Sequence, residues 1–545
     1  MSDGTNPETP MVNWVLNGKP VQSPAGTTIF EAAKALETEI PNFCYHPGLT
    51  IAGNCRICMV ESNRSKKPVI SCSERVAEGL EIQTDSPMAI EARNAVMEFQ
   101  LINHPLDCPV CDKAGECVLQ NYSYDHGPDR SRFDEDKNIR HTKELGPTID
   151  IWGNRCIVCT RCVRFCDEVS GTGELCVVER GDRSVVDVFP TVPIDNPLAG
   201  NVVDICPVGA LISNDFKFEA RIWNMRKTDS VCAGCARGCN VEVQSLDGFV
   251  KRLVPRENMD VNQWWMCDEG RYDYRYNLAD TRVEACAKDG APAEDHDVHE
   301  TLAQWIEDPG GTLGILVDPF LTCEEAFLVD QIAQQASNAL VGGWKSVEGT
   351  AQSFPGKFTI SAEKAPNRLG VEAVLGKLVF GSQGQALRTA LEKGQVSTLL
   401  VFAGFPHPDP DAAWVQAIGK AKKRAVFAVQ SGAWTEGAQL VLPAASPFEK
   451  DGTYVNEDGR LQRVRSFRAP GEVEWGHDLQ RLQAVMRSAG LTPRSLSSSA
   501  VFRQLAEVKK PFQGLTHSAL PPTGVQLPGL APLPTGASGA NGGSA

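Results

Sequence analysis

The stretch RCIVCTRCVRFC occupies positions 155–166. Three of its cysteines, Cys156, Cys159 and Cys162, are separated from one another by two residues each. A fourth, Cys206, lies far along the chain and is followed directly by Pro207. A C-x2-C-x2-C run on one tight loop with a remote Cys-Pro is the ligand arrangement of 4Fe-4S clusters, and zinc sites seldom use such a triplet. We therefore predict a 4Fe-4S site made by Cys156, Cys159, Cys162 and Cys206.

The same stretch contains a further cysteine and three arginines. Cys166 completes the C-x3-C of the bacterial two-cluster run, in which the fourth cysteine serves a second cluster. That cluster would need a cysteine triplet around Cys206, and the sequence has none there, so we predict that Cys166 is a buried, uncoordinated thiol. Arg155, Arg161 and Arg164 could offset cluster charge, although solvated arginines are the default interpretation.

Upstream of this stretch, one histidine and three cysteines have the spacing H-x3-C-x2-C-x5-C. They follow a predicted helix that begins at Ser86-Pro87, a cap and a first-turn proline, and ends at His104-Pro105. A lone histidine is usually structural or merely exposed. Here a 4Fe-4S cluster needs four ligands and only three cysteines lie nearby, so the predicted second site consists of His104, Cys108, Cys111 and Cys117.

The N-terminal segment predicts a small α+β unit. The Asn17-Gly18 pair suits a tight hairpin turn, and a helix follows with Thr28 and Glu31 as a capping box. Four cysteines with the spacing C-x10-C-x2-C-x13-C come next, and glycines in their long loop let backbone N–H groups approach an inorganic core. We predict a 2Fe-2S site, with zinc as the alternative; its ligands are Cys44, Cys55, Cys58 and Cys72.

A fourth set lies downstream, with the spacing C-x2-C-x3-C-x27-C and the ending Cys267-Asp-Glu-Gly-Arg271. This spacing and ending resemble the 4Fe-4S domain that opens molybdopterin oxidoreductases such as formate dehydrogenases. The resemblance implies a third 4Fe-4S site, made by Cys232, Cys235, Cys239 and Cys267. In all, 15 of the 19 cysteines belong to the four sets.

The C-terminal half has a different composition. Short apolar runs at 312–317, 398–402 and 425–429 alternate with helical patterns such as 324–336, which predicts an α/β layer with a parallel sheet. Residues 442–460 resemble a degenerate piece of the molybdopterin-binding domain. No metal-ligating motif is recognisable there, so we expect no molybdopterin, and Cys286 and Cys323 are predicted to be ordinary thiols.

The fold class is therefore a multidomain α+β and α/β protein. Its expected parts are a 2Fe-2S ferredoxin-like (β-grasp) domain at 11–88, a 4Fe-4S domain with one histidine and three cysteine ligands at 89–133, a ferredoxin-like 4Fe-4S domain at 134–224, a molybdopterin-oxidoreductase-type 4Fe-4S domain at 225–281, a degenerate molybdopterin-like α/β domain at 282–510, and a tail at 511–545. The tail is rich in proline, glycine, serine and alanine, so we predict disorder, with contact to a partner subunit as the alternative.

Composition excludes several classes of protein. A formal net charge of -15 on 545 residues argues against nucleic-acid binding and against direct adhesion to anionic lipid. No apolar run is long enough to span a bilayer and the first residues lack a secretory signal, so we expect a soluble, cytosolic chain without direct membrane insertion. A G-x-G-x-x-G fingerprint, a P-loop and a nucleophile elbow are all missing, so the chain itself should not bind NADH.

The order of these units over residues 11–281 resembles the large iron-sulfur subunits of bacterial respiratory NADH:quinone oxidoreductase, complex I. The resemblance implies that the Cys44 site accepts electrons from the flavin-bearing, NADH-oxidising subunit. The Cys156 and His104 sites would relay them towards quinone through other iron-sulfur subunits of the peripheral arm, and the Cys232 site would lie off this route. Such a chain is peripheral, at the cytoplasmic face of the plasma membrane.

Two alternatives stay open at this point. The chain could be an iron-sulfur subunit or catalytic chain of an NAD-linked formate dehydrogenase or hydrogenase, which share the same front half, although the short C-terminal half lacks the motifs of such an enzyme. A zinc-binding scaffold is the third and weakest interpretation.

Overall fold

The computed structural model describes residues 9–344, 349–404, 412–468, 478–491 and 497–533. The chain forms two compact units. The first comprises Met1–Asn224 with the short segment Phe354–Lys357, and the second comprises Met225–Ser353 with Phe358–Ala545.

The first unit begins with a five-stranded sheet in the order β2-β1-β5-β3-β4, against which one helix packs. The elements are β1 (Met11–Leu16), β2 (Lys19–Pro24), α1 (Ile29–Ala35), β3 (Met59–Ser62), β4 (Val69–Ile70) and β5 (Glu81–Gln83). The predicted hairpin is confirmed: β1 and β2 pair antiparallel around Asn17 and Gly18, whose φ angles are 50° and 77°. One half of the predicted capping box is confirmed, because the Thr28 hydroxyl accepts the Glu31 N–H. The other half was wrong: the Glu31 carboxylate accepts the Tyr45 hydroxyl, not the Thr28 N–H.

The rest of the first unit consists of short helices and small sheets, which leave long loops for the cysteines. Its elements are α2 (Pro87–Leu101), α3 (Val118–His126), β6 (Thr142–Glu144), β7 (Ile149–Trp152), α4 (Arg161–Phe165), β8 (Leu175–Val178), β9 (Val185–Val188), α5 (Asn201–Ile205) and β10 (Leu211–Ser213). The expected start of α2 is confirmed, since Ser86 caps the helix and Pro87 occupies its first turn. A three-stranded sheet in the order β10-β7-β6 accompanies these helices.

The second unit opens with a three-stranded antiparallel sheet and a short helix. The elements are β11 (Arg226–Val231), β12 (Asn240–Leu246), β13 (Phe249–Pro255) and α6 (Asp268–Tyr272). Cys267 is the N-cap of α6, and Cys239 directly precedes β12. The ends of these elements thus carry two of the fourth-set cysteines.

A seven-stranded sheet with helices dominates the remainder. Its elements are β14 (Ala287–Lys288), β15 (Ala291–Pro292), α7 (Asp295–Glu307), β16 (Thr312–Val317), α8 (Cys323–Gln335), β17 (Ala339–Gly343), β18 (Gln352–Ser353), β19 (Thr359–Ile360), α9 (Arg368–Leu375), α10 (Gly384–Glu392), β20 (Val396–Ala403), α11 (Ala412–Ile418), β21 (Lys423–Ala428), β22 (Leu440–Pro443), β23 (Gly452–Val455), β24 (Arg460–Val464), α12 (Asp478–Ser488), α13 (Ser498–Val508) and β25 (Val525–Gln526). The strand order is β15-β14-β22-β21-β20-β16-β17, and the five strands from β22 to β17 are parallel. The predicted α/β layer with a parallel sheet is confirmed. No helix of the described residues is both long and apolar enough to cross a bilayer.

The C-terminal segment corrects a prediction made from composition. The tail was expected to be disordered from residue 511, but the structure describes an ordered path up to residue 533, and residues 534–545 lie outside the described ranges. Two 3-10 turns lead to β25, which pairs antiparallel with β24. Phe512 and Leu527 are buried, at 0% and 2% exposure.

Remote side chains hold this segment in place. The Asn240 amide donates to the Pro522 carbonyl at 2.8 Å, and the Asn258 amide donates to the Thr523 carbonyl at 3.1 Å. Proline has no N–H to offer to neighbouring carbonyl groups, and here side-chain donors from distant residues satisfy the Pro522 and Thr523 carbonyls. Local composition carries no information about such donors, which is why the prediction was wrong for 511–533.

Candidate cluster-binding sites

The four donor sets are numbered here in chain order, so that the first set is Cys44, Cys55, Cys58 and Cys72. Its cysteines are all buried, with at most 8% exposure. The largest influence on the pKa of Cys44 comes from Cys55, and the largest on that of Cys58 comes from Cys72, which groups the four thiols in two pairs. The hydrogen bond to Cys55 lowers the pKa of Cys44 to about 5, and the bond from Cys72 lowers the pKa of Cys58 to about 7. The pKa of each partner thiol rises, chiefly because it is the donor in its pair. Two pairs are the grouping that a 2Fe-2S cluster needs, because each iron binds two of the four cysteines.

The third set converges on one cavity. Its lining includes Cys156, Cys159, Cys162 and Cys206, and the rest is mostly apolar, with Ile151, Val186 and Leu211 among the lining residues. Burial raises the pKa of Cys156 to about 11 and that of Cys159 to about 12. Thiols in this environment become thiolates only beside strong positive charge, which iron supplies.

Cys166 lies close by but outside this cavity. It is fully buried at the end of α4, and burial raises the pKa of its thiol to about 12. The cavity lining does not contain it. This position agrees with the interpretation of Cys166 as a buried thiol, which stays a prediction.

The second set lies on the loops between α2 and α3. Cys111 and Cys117 are buried, whereas Cys108 is exposed in a 3-10 turn. Burial, followed by the charge of Arg155, lowers the pKa of His104 to about 4. The imidazole is therefore neutral at physiological pH, which is the form that binds metal.

Two residues that sequence reasoning did not assign to the second set pack against Cys111. A Cβ built on Gly209 would lie 2.2 Å from the Cys111 Sγ, so only glycine fits there. Arg221 donates to the Cys111 carbonyl at 2.6 Å and to the Pro109 carbonyl at 2.5 Å. Gly209 follows the Cys206-Pro207 pair, so the loop that carries a third-set cysteine also shapes the second set. In the sequence, the position of Gly209 in the run CPVGA was the one feature that pointed to this role.

The fourth set is buried in the second unit, with exposures between 4% and 7%. The Gly270 N–H donates to the Cys267 Sγ at 3.4 Å. Burial raises the pKa of the Cys267 thiol to about 12 and that of Cys232 well above its ordinary value, and the Cys235 and Cys267 charges contribute to the rise at Cys232. The Cβ of any larger residue at position 270 would come within 2.6 Å of the Cys232 Sγ. The backbone of Gly270 therefore forms one wall of this site.

This wall gives a testable prediction. Gly270→Ala is expected to remove the cluster of the fourth set and leave the other three, because the added methyl group overlaps the Cys232 sulfur. Iron per chain and electron paramagnetic resonance (EPR) spectra of the purified protein measure this. Gly419→Ala is the matched control, since its Cβ would meet its nearest neighbour at an ordinary 3.5 Å. Unchanged iron content in Gly270→Ala would contradict the assignment.

Two of the three arginines around the third set are removed from solvent. Arg155 is 1% exposed and Arg164 is 9% exposed. Arg155 forms an ion pair with Asp107 at 2.9 Å and lies 4.0 Å from the centre of the Trp152 ring. Arg164 donates to the Cys44 and Thr50 carbonyls. The default interpretation was wrong for both arginines, because backbone and carboxylate acceptors replace water around them.

No three His, Cys, Asp or Glu side chains of the described ranges are gathered tightly enough to surround a single metal ion. A cluster has a different requirement, because a 4Fe-4S cubane binds each cysteine through a separate iron and so holds the sulfurs further apart. The thiol pairs of the first set, the shared cavity of the third and the glycine wall of the fourth each fit that requirement. These three donor sets are therefore compatible with clusters.

The α/β layer offers a different environment. In open sheets, ligands bind outside the carboxyl ends of the strands where the strand order reverses, which here is between β16 and β20. Asp318 follows β16 and accepts the Gly404 N–H at 2.5 Å, and the Lys450 ammonium lies beside them. Lys450 is fully buried and bonds Glu325 at 2.9 Å. A pterin here would have to displace a buried ion pair, so the residues present do not fit that group.

The two remaining cysteines of this unit contact polar side chains of the same chain. Arg481 donates to the Cys286 Sγ at 3.2 Å, and Asn367 lies 3.7 Å from the Cys323 Sγ. Burial raises the pKa of Cys286 to about 12. Both thiols are buried, and their interpretation as ordinary thiols stays a prediction.

Family models match five consecutive segments of the chain. They are a 2Fe-2S iron-sulfur cluster binding domain (residues 9–87), an NADH-ubiquinone oxidoreductase-G iron-sulfur binding region (93–132), an NADH-quinone oxidoreductase subunit 3 ferredoxin-like domain (146–212), an NADH-ubiquinone oxidoreductase NDSU1/NuoG-like 4Fe-4S domain (225–275) and a molybdopterin oxidoreductase domain (326–473). Fold and family segments together define an iron-sulfur protein with one 2Fe-2S and several 4Fe-4S binding domains.

Curated relatives agree with these segments. The chain is 46% identical over 269 residues to the mitochondrial NADH dehydrogenase [ubiquinone] iron-sulfur protein 1 of Solanum tuberosum, and 44% identical over 264 residues to the NADH-ubiquinone oxidoreductase 75 kDa subunit of Reclinomonas americana. These matches cover 49% and 48% of this chain but only 36% and 38% of the relatives. An NADH-quinone oxidoreductase chain of Rickettsia bellii matches over a similar length, at 42% identity over 264 residues. The cluster-binding half is thus related to the large iron-sulfur subunit of NADH:quinone oxidoreductase.

A solved structure also matches part of the chain. The NAD+-reducing [NiFe]-hydrogenase in the H2-reduced state gives a TM-score of 0.36 at 31% identity. The match covers 39% of this chain and 91% of the hydrogenase chain.

Proposed function

We propose that this chain is an electron-relay subunit of an NADH:quinone oxidoreductase. The observation that carries the proposal is the order of four cysteine-rich sites within segments that match domains of the large iron-sulfur subunit of that enzyme. When bound, the clusters would accept and release single electrons. The protein would contribute ligands, burial and charge, and no side chain would perform acid-base chemistry.

The ligand assignment is part of the proposal. Cys44, Cys55, Cys58 and Cys72 would hold a 2Fe-2S cluster. Three 4Fe-4S clusters would be held by His104, Cys108, Cys111 and Cys117, by Cys156, Cys159, Cys162 and Cys206, and by Cys232, Cys235, Cys239 and Cys267. Burial of most of these cysteines, with Cys108 exposed and Cys156 half-buried, supports the assignment, because it excludes water and protects the thiolates from oxidation.

The same relatives support a proposal for the position of the chain in the assembly. The Cys44 site would receive electrons from a flavin- and NADH-binding subunit, and the Cys156 and His104 sites would pass them to other iron-sulfur subunits. The chain would be peripheral to the membrane, on its cytoplasmic face. The C-terminal α/β layer would serve as a scaffold without molybdopterin, which the buried Lys450–Glu325 pair supports.

Elemental analysis of the purified full chain tests the proposal. We expect iron and sulfide for one 2Fe-2S and three 4Fe-4S clusters, with neither molybdenum nor tungsten. EPR of the reduced protein should then show one 2Fe-2S and several 4Fe-4S signals. Stoichiometric zinc without iron would refute the relay, and stoichiometric molybdenum would favour a self-sufficient oxidoreductase.

A further inference from the structure

One guanidinium group, that of Arg161, is bonded next to ligands of two different sites of the first unit. Its Nη1 donates to the carbonyl of Ile205, the residue before Cys206, at 3.2 Å. Its Nη2 donates to the carbonyl of Tyr45, the residue after Cys44, at 2.5 Å. The same Nη2 donates to the Asn42 side chain at 3.0 Å. Arg161 thus connects the first-set loop to the segment that directly precedes Cys206.

The charge of Arg161 acts on both sites. The residue lines the third-set cavity, and its guanidinium bonds the residues next to Cys206 and Cys44. An arginine remains protonated at any physiological pH. A fixed positive charge therefore lies between the two sites.

A donor on this side chain also remains available to a cluster. The Arg161 Nε is buried and makes no hydrogen bond within the described part of the chain. An unsatisfied buried N–H is destabilising. Sulfide or thiolate sulfur at the cavity that Arg161 lines is the acceptor that would satisfy it.

We propose that Arg161 is a positioning residue for electron transfer between the first and third sites, and that its charge stabilises the reduced state of both clusters. In this step one electron leaves the first cluster, which is oxidised, and enters the third-set cluster, which is reduced. No bond is made or broken and no proton moves, because Arg161 stays protonated. The inference rests on the proposed function, since it requires clusters at both sites.

Arg164 provides a matched comparison three residues along the same helix. It is also buried and cationic, and it donates to the Cys44 and Thr50 carbonyls of the first-set loop. Its bond to the third-set loop is the longer one, from Nε to the Thr160 hydroxyl at 3.4 Å. Removal of Arg164 should therefore affect the first site more than the third.

EPR-monitored redox titration of the full-length holoprotein tests the inference. Arg161→Gln should shift the midpoint potentials of both clusters to more negative values, because reduction adds negative charge that the guanidinium no longer offsets. Arg164→Gln should shift the first potential more than the third, and Arg161→Lys, which keeps the charge, should restore most of both shifts. A shift at one cluster only, or at neither, in Arg161→Gln would overturn the inference.

Two further measurements separate the possible failures. Iron content of the wild-type chain tests the proposed function itself: a chain without clusters refutes both proposals, whereas a loaded chain with unmoved potentials refutes only the role of Arg161. If Arg161→Gln does not assemble clusters, the wild-type protein still provides a test. Its two reduced clusters should show mutual spin relaxation, since one side chain bridges their ligand loops, and the lack of any such interaction would overturn the inference.

Discussion

Cys206→Ser is expected to abolish one 4Fe-4S signal, whereas Cys166→Ser should leave the cluster content unchanged. Cys206 lines the same cavity as the three cysteines of the 156–162 loop, and Cys166 does not. Cys166 is nevertheless the cysteine that completes the local C-x3-C spacing. Sequence distance and spatial position therefore give opposite answers about the fourth ligand, and the substitution pair distinguishes them.

The two variants form a matched set, because both remove a buried thiol of the same domain, at 8% and 0% exposure. A general loss of stability would affect them similarly, so different cluster contents report ligation. The measurements are iron per chain and the EPR spectrum of the reduced protein, compared with the wild type. Loss of the signal in Cys166→Ser together with retention in Cys206→Ser would reverse the ligand assignment.

Local features of the fold could be predicted from sequence because their causes are local. The turn at Asn17-Gly18 depends on two positive φ angles, and the start of α2 depends on a serine cap followed by proline. The strand at 312–317 is a short apolar run buried on both faces of a parallel sheet. In each case a few neighbouring residues determine the outcome.

The site details that sequence could not provide all involve contacts between distant residues. Gly209 approaches the Cys111 sulfur from almost a hundred positions away, and Arg161 reaches the Tyr45 carbonyl across 116. The C-terminal segment is held by Asn240, which is 282 positions before its acceptor. Cysteine spacing predicts a ligand set, but the contacts that glycines and arginines make with it are seen only in the folded chain.

The second large effect is expected at the buried ion pair of the α/β layer. Lys450→Met should lower the free energy of opening of this layer by about 3–5 kcal/mol, because it leaves the Glu325 carboxylate buried without its cation. Lys450 and Glu325 are 0% and 3% exposed and lie 2.9 Å apart. Hydrogen exchange of peptides from α8 and β16 in the full-length protein measures the local effect, and protection should fall by roughly two to four orders of magnitude.

Two controls decide whether charge burial is the cause. Arg388→Met breaks a partly exposed pair with Glu392, at 26% and 51% exposure, and should cost only about 0.3–0.5 kcal/mol. The double variant Lys450→Met/Glu325→Gln removes both charges while an amide oxygen still caps α8, where Glu325 now accepts the Thr322 N–H at 2.8 Å. It should recover much of the lost protection, since an uncharged pair carries no unpaired ion. If the double variant is no more protected than Lys450→Met, the lost protection comes from packing and not from an unpaired charge. That result would contradict the argument that a costly buried ion pair fills the crevice at the strand ends.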